Sequence, residues 1–183
     1  MYEITKCALL VIDVQGKLAA VMAESGRLTG NIQALVRAAQ ILKVPIIHTE
    51  QVPEKIGRTI PAIDGLLKGQ DPVRKSSFSC FGSKEFAQKW AALDRSQVIV
   101  AGIETHVCVY QTVADLLSRK FEVQIVADAV SSRSPDNKAV ALDLVKSLGA
   151  VVTTTEMIIC ELIRGADHED FKDIIALVKS CKK

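Results

Sequence analysis

Aromatic residues are scarce in this chain, at 4% of 183 residues, and glycine and proline number only ten and five. So few glycines and prolines exclude collagen-like and low-complexity sequences, and a hydrophobic fraction of 49% is too high for a disordered chain. Domains commonly hold about 100 to 200 residues. Composition and length therefore predict a globular protein with one domain over residues 1–183.

Cysteine pairs at CxxC spacing are absent, and the cysteine count of five is odd. These features argue against both a Cys-rich zinc site and a disulfide framework. We therefore expect reduced thiols and a cytoplasmic location. The five cysteines are Cys7, Cys80, Cys108, Cys160 and Cys181.

The sequence also lacks long apolar runs and an excess of one charge. No stretch of about 18 uncharged apolar residues occurs, so we expect neither a signal peptide nor membrane attachment. The 23 basic and 21 acidic residues leave a net charge of +2, and the basic residues are scattered. A nucleic-acid partner is therefore not predicted.

What the chain does have is a regular alternation of short β-branched runs with longer amphipathic stretches. This pattern predicts an α/β protein whose parallel sheet is covered by helices on both faces. The predicted strands are residues 7–13, 44–48, 97–101, 122–127 and 150–153. The predicted helices are residues 31–42, 107–120, 135–148 with Gly149 as the stop, and 169–179.

Residues 51–81 differ from the rest of the chain because they are rich in proline and glycine and show little periodicity. Long irregular segments in compact domains are commonly functional. We interpret this segment as a wall or lid of a ligand site. A packed surface loop is the alternative.

Three chemically active residues stand out where ligands settle in parallel sheets, beyond the carboxyl ends of the strands. Asp13 ends the first strand, Cys108 follows the third clear strand, and Lys75 lies in the irregular segment. If Glu104 or Thr105 caps the next helix, Cys108 lies in its first turn, where the helix dipole would lower the thiol pKa. Each residue alone also fits a purely structural role, so the prediction depends on their convergence.

Histidines offer weaker candidates. His106 lies two residues before Cys108, about 200° around a helix, so we prefer Asp13 to it as the base for the thiol. His48 follows the second strand, with Glu50 two residues later. One histidine and one carboxylate are a weak metal signal, and we predict no metal.

Three motifs resemble, in order and spacing, the signatures of the isochorismatase-like (cysteine hydrolase) superfamily. They are residues 10–15 (LVIDVQ), 75–79 (KSSFS) and 102–109 (GIETHVCV). Residues 48–51 (HTEQ), 128–134 (DAVSSRS) and 155–171 are most similar to the isochorismatase-domain-containing subgroup, whose members mostly lack an assigned substrate.

The resemblance implies a three-layer, Rossmann-like fold with six parallel strands and a triad of Asp13, Lys75 and Cys108. It also implies a cis peptide between Ile103 and Glu104, and an oxyanion hole formed by the backbone amides of Glu104 and Cys108. The implied activity is hydrolysis of a small amide-like substrate through a thioester on Cys108, without a cofactor, in a homo-oligomer.

The resemblance further places Gln15, Leu18 and Phe78 at the substrate pocket. Many relatives have a phenylalanine where this chain has Leu18, so we expect Phe78 to form the apolar wall. Isochorismate-cleaving enzymes need no thiol. Nicotinamidases carry an Asp-x-His and a further metal-binding histidine after the second strand, whereas here His48 is present and the second histidine is not. We therefore expect acyl chemistry, and neither zinc nor nicotinamide.

Two other functions remain open from the sequence. The fold could serve as a non-catalytic interaction module, or Cys108 could act as a redox-sensing thiol. The sequence shows no obvious neighbouring cysteine that would resolve an oxidised Cys108.

Overall fold

The computed structural model describes residues 1–180, and residues 181–183, including Cys181, lie outside the described chain. The strands are β1 (Cys7–Ile12), β2 (Ile46–Gln51), β3 (Val73–Lys75), β4 (Gln97–Ile103), β5 (Glu122–Ser131) and β6 (Val151–Thr153). The helices are α1 (Gly16–Ala20), α2 (Ser25–Ile41), α3 (Pro53–Ile56), α4 (Pro61–Asp64), α5 (Lys84–Ala92), α6 (Tyr110–Ser118), α7 (Pro135–Ser147), α8 (Thr155–Ile163) and α9 (Phe171–Ser180).

The six strands form one parallel sheet in the order β3-β2-β1-β4-β5-β6. This confirms the predicted α/β class and the six parallel strands. The chain moves outward from β1 in one direction, and then from β4 in the other. The point of reversal lies between β1 and β4, where the carboxyl ends of two strands open a crevice for ligands.

Strand β1 is covered on both faces of the sheet, which explains why its sequence is apolar without interruption. All six residues are buried, and their side chains alternate between the two faces of the sheet. One set, including Leu9, packs in a core with α2, α8 and α9. The other set, including Leu10, packs in a second core with α5, α6 and α7.

Several predicted boundaries were wrong. Strand β2 extends to Gln51 rather than ending at residue 48, and α2 begins six residues before the predicted helix. The helix predicted over residues 107–120 is divided into a wide π-type turn, Thr105–Val109, followed by α6. Strand β3, α5 and α8 were not predicted. A three-residue edge strand such as β3 is too short for a periodic signal.

Residues 51–81 are less irregular than the sequence suggests. They contain the end of β2, the short helices α3 and α4, strand β3 and the first part of a 3₁₀ turn, Cys80–Gly82. Within residues 1–180, no helix is both long and apolar enough to cross a membrane.

Gly102 allows β4 to lie against β1 at the centre of the sheet. It pairs with Ile12 and has a φ of +120°. A Cβ atom at this position would lie 2.1 Å from the Ile12 carbonyl oxygen and 2.5 Å from the Ile12 nitrogen. Both contacts are with backbone atoms, so a side chain cannot be accommodated by a rotamer change.

We predict that Gly102→Ala lowers the free energy of unfolding by about 2–5 kcal/mol, because it combines a strained φ with a backbone clash. Gly149→Ala is the matched control: Gly149 also has a positive φ, +107°, but a Cβ there meets no atom within 4 Å. Denaturant unfolding of both variants would measure the difference. Equal losses would show that the close approach of β4 and β1 contributes nothing.

Candidate active site

The fold brings the three sequence-predicted residues, Asp13, Lys75 and Cys108, to one place at the reversal point of the sheet. Asp13 directly follows β1, and Cys108 lies in the turn after β4. Lys75 is the last residue of β3, whose register with β2 places it beside Gln51. Its long side chain reaches from the sheet edge to Asp13.

The Lys75 ammonium is buried and surrounded by oxygen atoms. It donates to Asp13 Oδ2 at 2.5 Å, and this ion pair is almost fully shielded from solvent. Gln51 Oε1 and the carbonyl oxygens of Ser77 and Phe78 each lie 3.1 Å from Lys75 Nζ. Four acceptors for three N–H groups are the surroundings that a charged ammonium requires in a protein interior.

Asp13 is fixed by its own backbone and by Thr49. The Thr49 hydroxyl donates to Asp13 Oδ1 at 2.6 Å and accepts from the Asp13 amide at 3.3 Å. The Asp13 backbone has a φ of 51°, a conformation that short polar residues adopt more readily than others. Both carboxylate oxygens therefore have defined partners, Thr49 on one and Lys75 on the other.

The Cys108 thiol lies between Asp13 and Gln51. It donates to Gln51 Oε1 at 3.0 Å. The pKa of the thiol is raised to about 12, first by burial and then by the charge of the Asp13 carboxylate, against the opposing charge of Lys75. The predicted lowering of this pKa was wrong, and the thiol remains protonated at neutral pH.

The helix start that was expected to ionise Cys108 is not an ordinary one. Glu104 is at the N-cap position but its side chain makes no cap; its Oε2 accepts instead from the backbone N–H and Nε of Arg133, at 3.0 and 3.2 Å. Thr105 does not cap either, because its Oγ1 is buried and finds no partner within residues 1–180. The peptide bond between Ile103 and Glu104 is cis.

A small pocket of about 130 Å³ opens onto the thiol. Its lining is formed by Asp13, Gln15, Leu18, Gln51, Ile56, Phe78, Ile103, Glu104, Val107 and Cys108. The residues expected at the pocket, Gln15, Leu18 and Phe78, are thus all at its wall. The Gln15 amide is already engaged, since it donates to the carbonyl oxygens of Gln51 and Gly57 and accepts from the Gln51 amide.

The remaining candidates lie apart from the thiol. His106 Nδ1 is 2.9 Å from the Ser132 hydroxyl. His48 is buried with its Nε2 unpaired among residues 1–180, and burial lowers its pKa. Glu50 accepts from the amide and hydroxyl of Thr59. Residues 1–180 contain no group of three or more His, Cys, Asp or Glu side chains that could hold a metal ion.

Sequence reasoning missed three neighbours of the triad. Gln51 and Thr49 belong to a stretch noted for its resemblance, but nothing in it assigned them contacts with Cys108, Lys75 or Asp13. Cys80 was also missed: its amide donates to the Thr112 hydroxyl, which in turn donates to the Cys108 carbonyl. These bonds join backbone groups of Cys80 and Cys108 rather than their sulfur atoms, so the expectation that no cysteine resolves an oxidised Cys108 stays a prediction. Burial raises the pKa of Cys80 to about 12 as well.

Known proteins resemble this chain over nearly its full length. The isochorismatase domain profile matches residues 7–157. Isochorismatase domain-containing protein 2 of Danio rerio is 37% identical over 170 residues, which are 93% of this chain and 85% of that protein. Isochorismatase family protein 1B of Dictyostelium discoideum is 35% identical over 179 residues, 94% of this chain and 85% of that protein.

Solved structures agree with this likeness. The MAR1 ribonuclease of Caenorhabditis elegans matches with a TM-score of 0.92 and 36% identity, covering 97% of this chain and 92% of that one. YcaC of Escherichia coli, an octameric hydrolase of unknown specificity, matches with a TM-score of 0.88 over 98% and 88% of the two chains, and its 22% identity supports the shared fold alone. From the profile match and these relatives, the chain belongs to the isochorismatase family of hydrolases.

Proposed function

We propose that this protein is a cysteine-dependent hydrolase that cleaves the C–N bond of a small amide-like substrate through a thioester intermediate. The observation that supports it most is the position of the Asp13 carboxylate. It contacts the Lys75 ammonium. It also lies close enough to the Cys108 thiol, which lines the same pocket, to raise the pKa of that thiol through its charge. An acid–base group within reach of a nucleophile is the arrangement that covalent catalysis requires.

The first step is a proton transfer within the triad. Asp13 takes the proton of the Cys108 thiol, and the resulting thiolate is then paired with the Lys75 ammonium. The charges of the three groups sum to zero before and after the transfer. No net charge is therefore created in the buried site. Because the resting thiol has a pKa of about 12, we place this transfer in the substrate complex, together with sulfur attack.

Sulfur attack on the carbonyl carbon gives a tetrahedral oxyanion. We assign its stabilisation to the backbone amides of Glu104 and Cys108, both of which belong to residues lining the pocket. The C–N bond then breaks as Asp13 returns the proton to the leaving nitrogen, and an amine or ammonia departs. A thioester between the acyl group and Cys108 remains.

Water completes the cycle. Asp13, again a carboxylate, takes a proton from a water molecule as its oxygen attacks the thioester carbon. The carbon–sulfur bond breaks, the acid leaves, and the proton on Asp13 returns to sulfur. Asp13 is thus base, acid and base in turn, while Lys75 keeps its charge throughout.

Cleavage of RNA is a second candidate, because the C. elegans relative at 36% identity is named a ribonuclease. The pocket volume of about 130 Å³ and the lack of an excess of positive charge favour a small molecule instead. A redox-sensing role for Cys108 is disfavoured by its raised pKa, since oxidation proceeds through the thiolate. A non-catalytic interaction module would not require a thiol in the same pocket as the buried pair of Asp13 and Lys75.

We also propose that the protein forms a homo-oligomer. Apolar side chains that are exposed in the single chain follow one side of α7 and continue onto β6: Val140, Leu144, Leu148 and Val151. Exposed patches of this kind are typical of contact surfaces. A molar mass from light scattering equal to one chain would contradict self-association.

We predict that Cys108→Ala and Asp13→Asn each lower kcat/KM for amide hydrolysis by at least about 10³-fold, because they remove the nucleophile and the proton carrier. Ammonia release from a panel of primary amides would measure it, with Cys160→Ala, an exposed cysteine, as the control. Amide hydrolysis that survives in Cys108→Ala would contradict the mechanism. RNA degradation measured in the same variants would separate the two candidate activities.

We further predict that alkylation of Cys108 by iodoacetamide rises about tenfold per unit between pH 7 and pH 10 without a plateau, since the thiolate fraction increases with pH up to the thiol pKa. An ordinary cysteine peptide, with a pKa near 8.5, should level off above about pH 9. Asp13→Asn removes a negative charge that raises the thiol pKa, and should therefore speed alkylation at pH 7 to 9. Slower alkylation of Asp13→Asn, or a plateau near pH 7, would contradict the raised pKa.

A further inference from the structure

The charged groups around the pocket are paired with one another, which leaves the site neutral. Asp13 and Glu104 are the acidic residues of the lining. Asp13 is neutralised from behind by Lys75, and Glu104 by Arg133, whose guanidinium is largely exposed outside the pocket. The two carboxylates and two cations sum to zero.

No cation is available to a bound anion. Within residues 1–180, the pocket lining contains no lysine, arginine or histidine. Lys75 lies behind the lining with four oxygen acceptors, and His106 contacts Ser132. A substrate carboxylate or phosphate would thus lose its hydration without gaining a counter-charge, and it would lie near two carboxylates. Both the desolvation and the repulsion disfavour binding of an anion.

The rest of the wall is apolar. Leu18, Ile56, Phe78, Ile103 and Val107 surround the approach to Cys108. The side-chain amide of Gln15 is engaged with backbone atoms of its neighbours, so it presents a fixed surface rather than a vacant polar group. The pocket volume of about 130 Å³ is smaller than the roughly 300–1,000 Å³ of most small-molecule pockets, so the part of a substrate that it encloses is short.

We propose that the substrate is a small uncharged amide with a short aliphatic acyl part. This inference rests on the proposed function for the reacting bond, and on the pocket alone for charge, polarity and size. The neutral pairs reject anionic acyl groups, and the five apolar side chains bind the aliphatic portion. The small volume limits the length of the acyl part that can lie inside the pocket.

The test of charge selection uses two alkylating agents that differ only in charge, iodoacetamide and iodoacetate. Both deliver the same carbon to sulfur, so the ratio of their rates is independent of how much thiolate is present. We expect the ratio of neutral to anionic rate at Cys108, corrected by the same ratio for a cysteine peptide, to exceed about tenfold. A corrected ratio near one, or below one, would overturn the proposal.

A matched pair of lysine substitutions locates the effect in the pocket. Leu18→Lys adds a cation to the lining and should lower the ratio by about tenfold or more, through faster reaction with iodoacetate. Val21→Lys adds the same charge on α1's carboxyl side, at a residue that is 58% exposed and outside the lining, and should leave the ratio within about twofold of the parent. Equal effects of the two substitutions would show that the selection is not a property of the pocket.

The second test compares butyramide with succinamate, which has the same chain length but ends in a carboxylate. We expect kcat/KM for ammonia release to be at least about 10²-fold higher with butyramide. Preferred hydrolysis of succinamate would overturn the proposed substrate class while leaving the triad mechanism intact. If neither amide is hydrolysed, the alkylation ratios still decide whether the pocket selects neutral groups, so failure of the proposed function and failure of this inference are distinguishable.

Discussion

The buried ion pair between Asp13 and Lys75 is the interaction on which the site depends. Removing two charges from water is costly, and the cost is met only when every donor and acceptor is satisfied. Here Thr49 holds one carboxylate oxygen, Lys75 holds the other, and Gln51 with two backbone carbonyls completes the ammonium's partners. These contacts join β1, β2, β3 and the segment after β3. The pair therefore holds these segments together as well as positioning the two charged groups beside Cys108. Loss of either member would leave an uncompensated charge in the interior.

The same pair explains why the thiol is not ionised at rest. The charge of Lys75 lowers the pKa of the Cys108 thiol. The charge of Asp13 raises that pKa by more, and burial raises it most. Once Asp13 carries the proton, the ammonium has only the sulfur anion to stabilise. In the proposed mechanism, the thiolate is therefore generated when a substrate is in place, rather than being present permanently. A protonated thiol reacts slowly with alkylating agents and oxidants, which fits the proposed hydrolase better than a redox sensor.

The sequence predicted which residues lie together, but not how burial and the neighbouring charges change the pKa of Cys108. Asp13 and Cys108 could be found because residues that follow parallel strands share one edge of the sheet. Lys75 was singled out in the irregular segment, and the resemblance assigned all three to one triad. Thr49 and Gln51 were missed because their roles arise from the pairing of β2 with its neighbours, which a single strand's pattern does not contain. The sign of the thiol pKa shift was missed for a related reason: the helix dipole is a local feature, whereas burial and the nearby carboxylate exist only in the folded chain. The short strand β3, which delivers Lys75, left no periodic signal at all.

A neutral pocket is also what a thiol that ionises only with substrate requires. An anionic ligand beside Cys108 would raise the thiol pKa further and oppose formation of the thiolate, whereas a cationic ligand would promote thiolate formation whether or not its carbonyl were correctly placed. An uncharged amide leaves the proton transfer between Cys108 and Asp13 to be governed by the position of the carbonyl carbon and by the donors around its oxygen. The pairing of Glu104 with Arg133 thus has the same effect as the pairing of Asp13 with Lys75. Each pairing cancels a charge that would otherwise shift the pKa of the Cys108 thiol whether or not a substrate is bound.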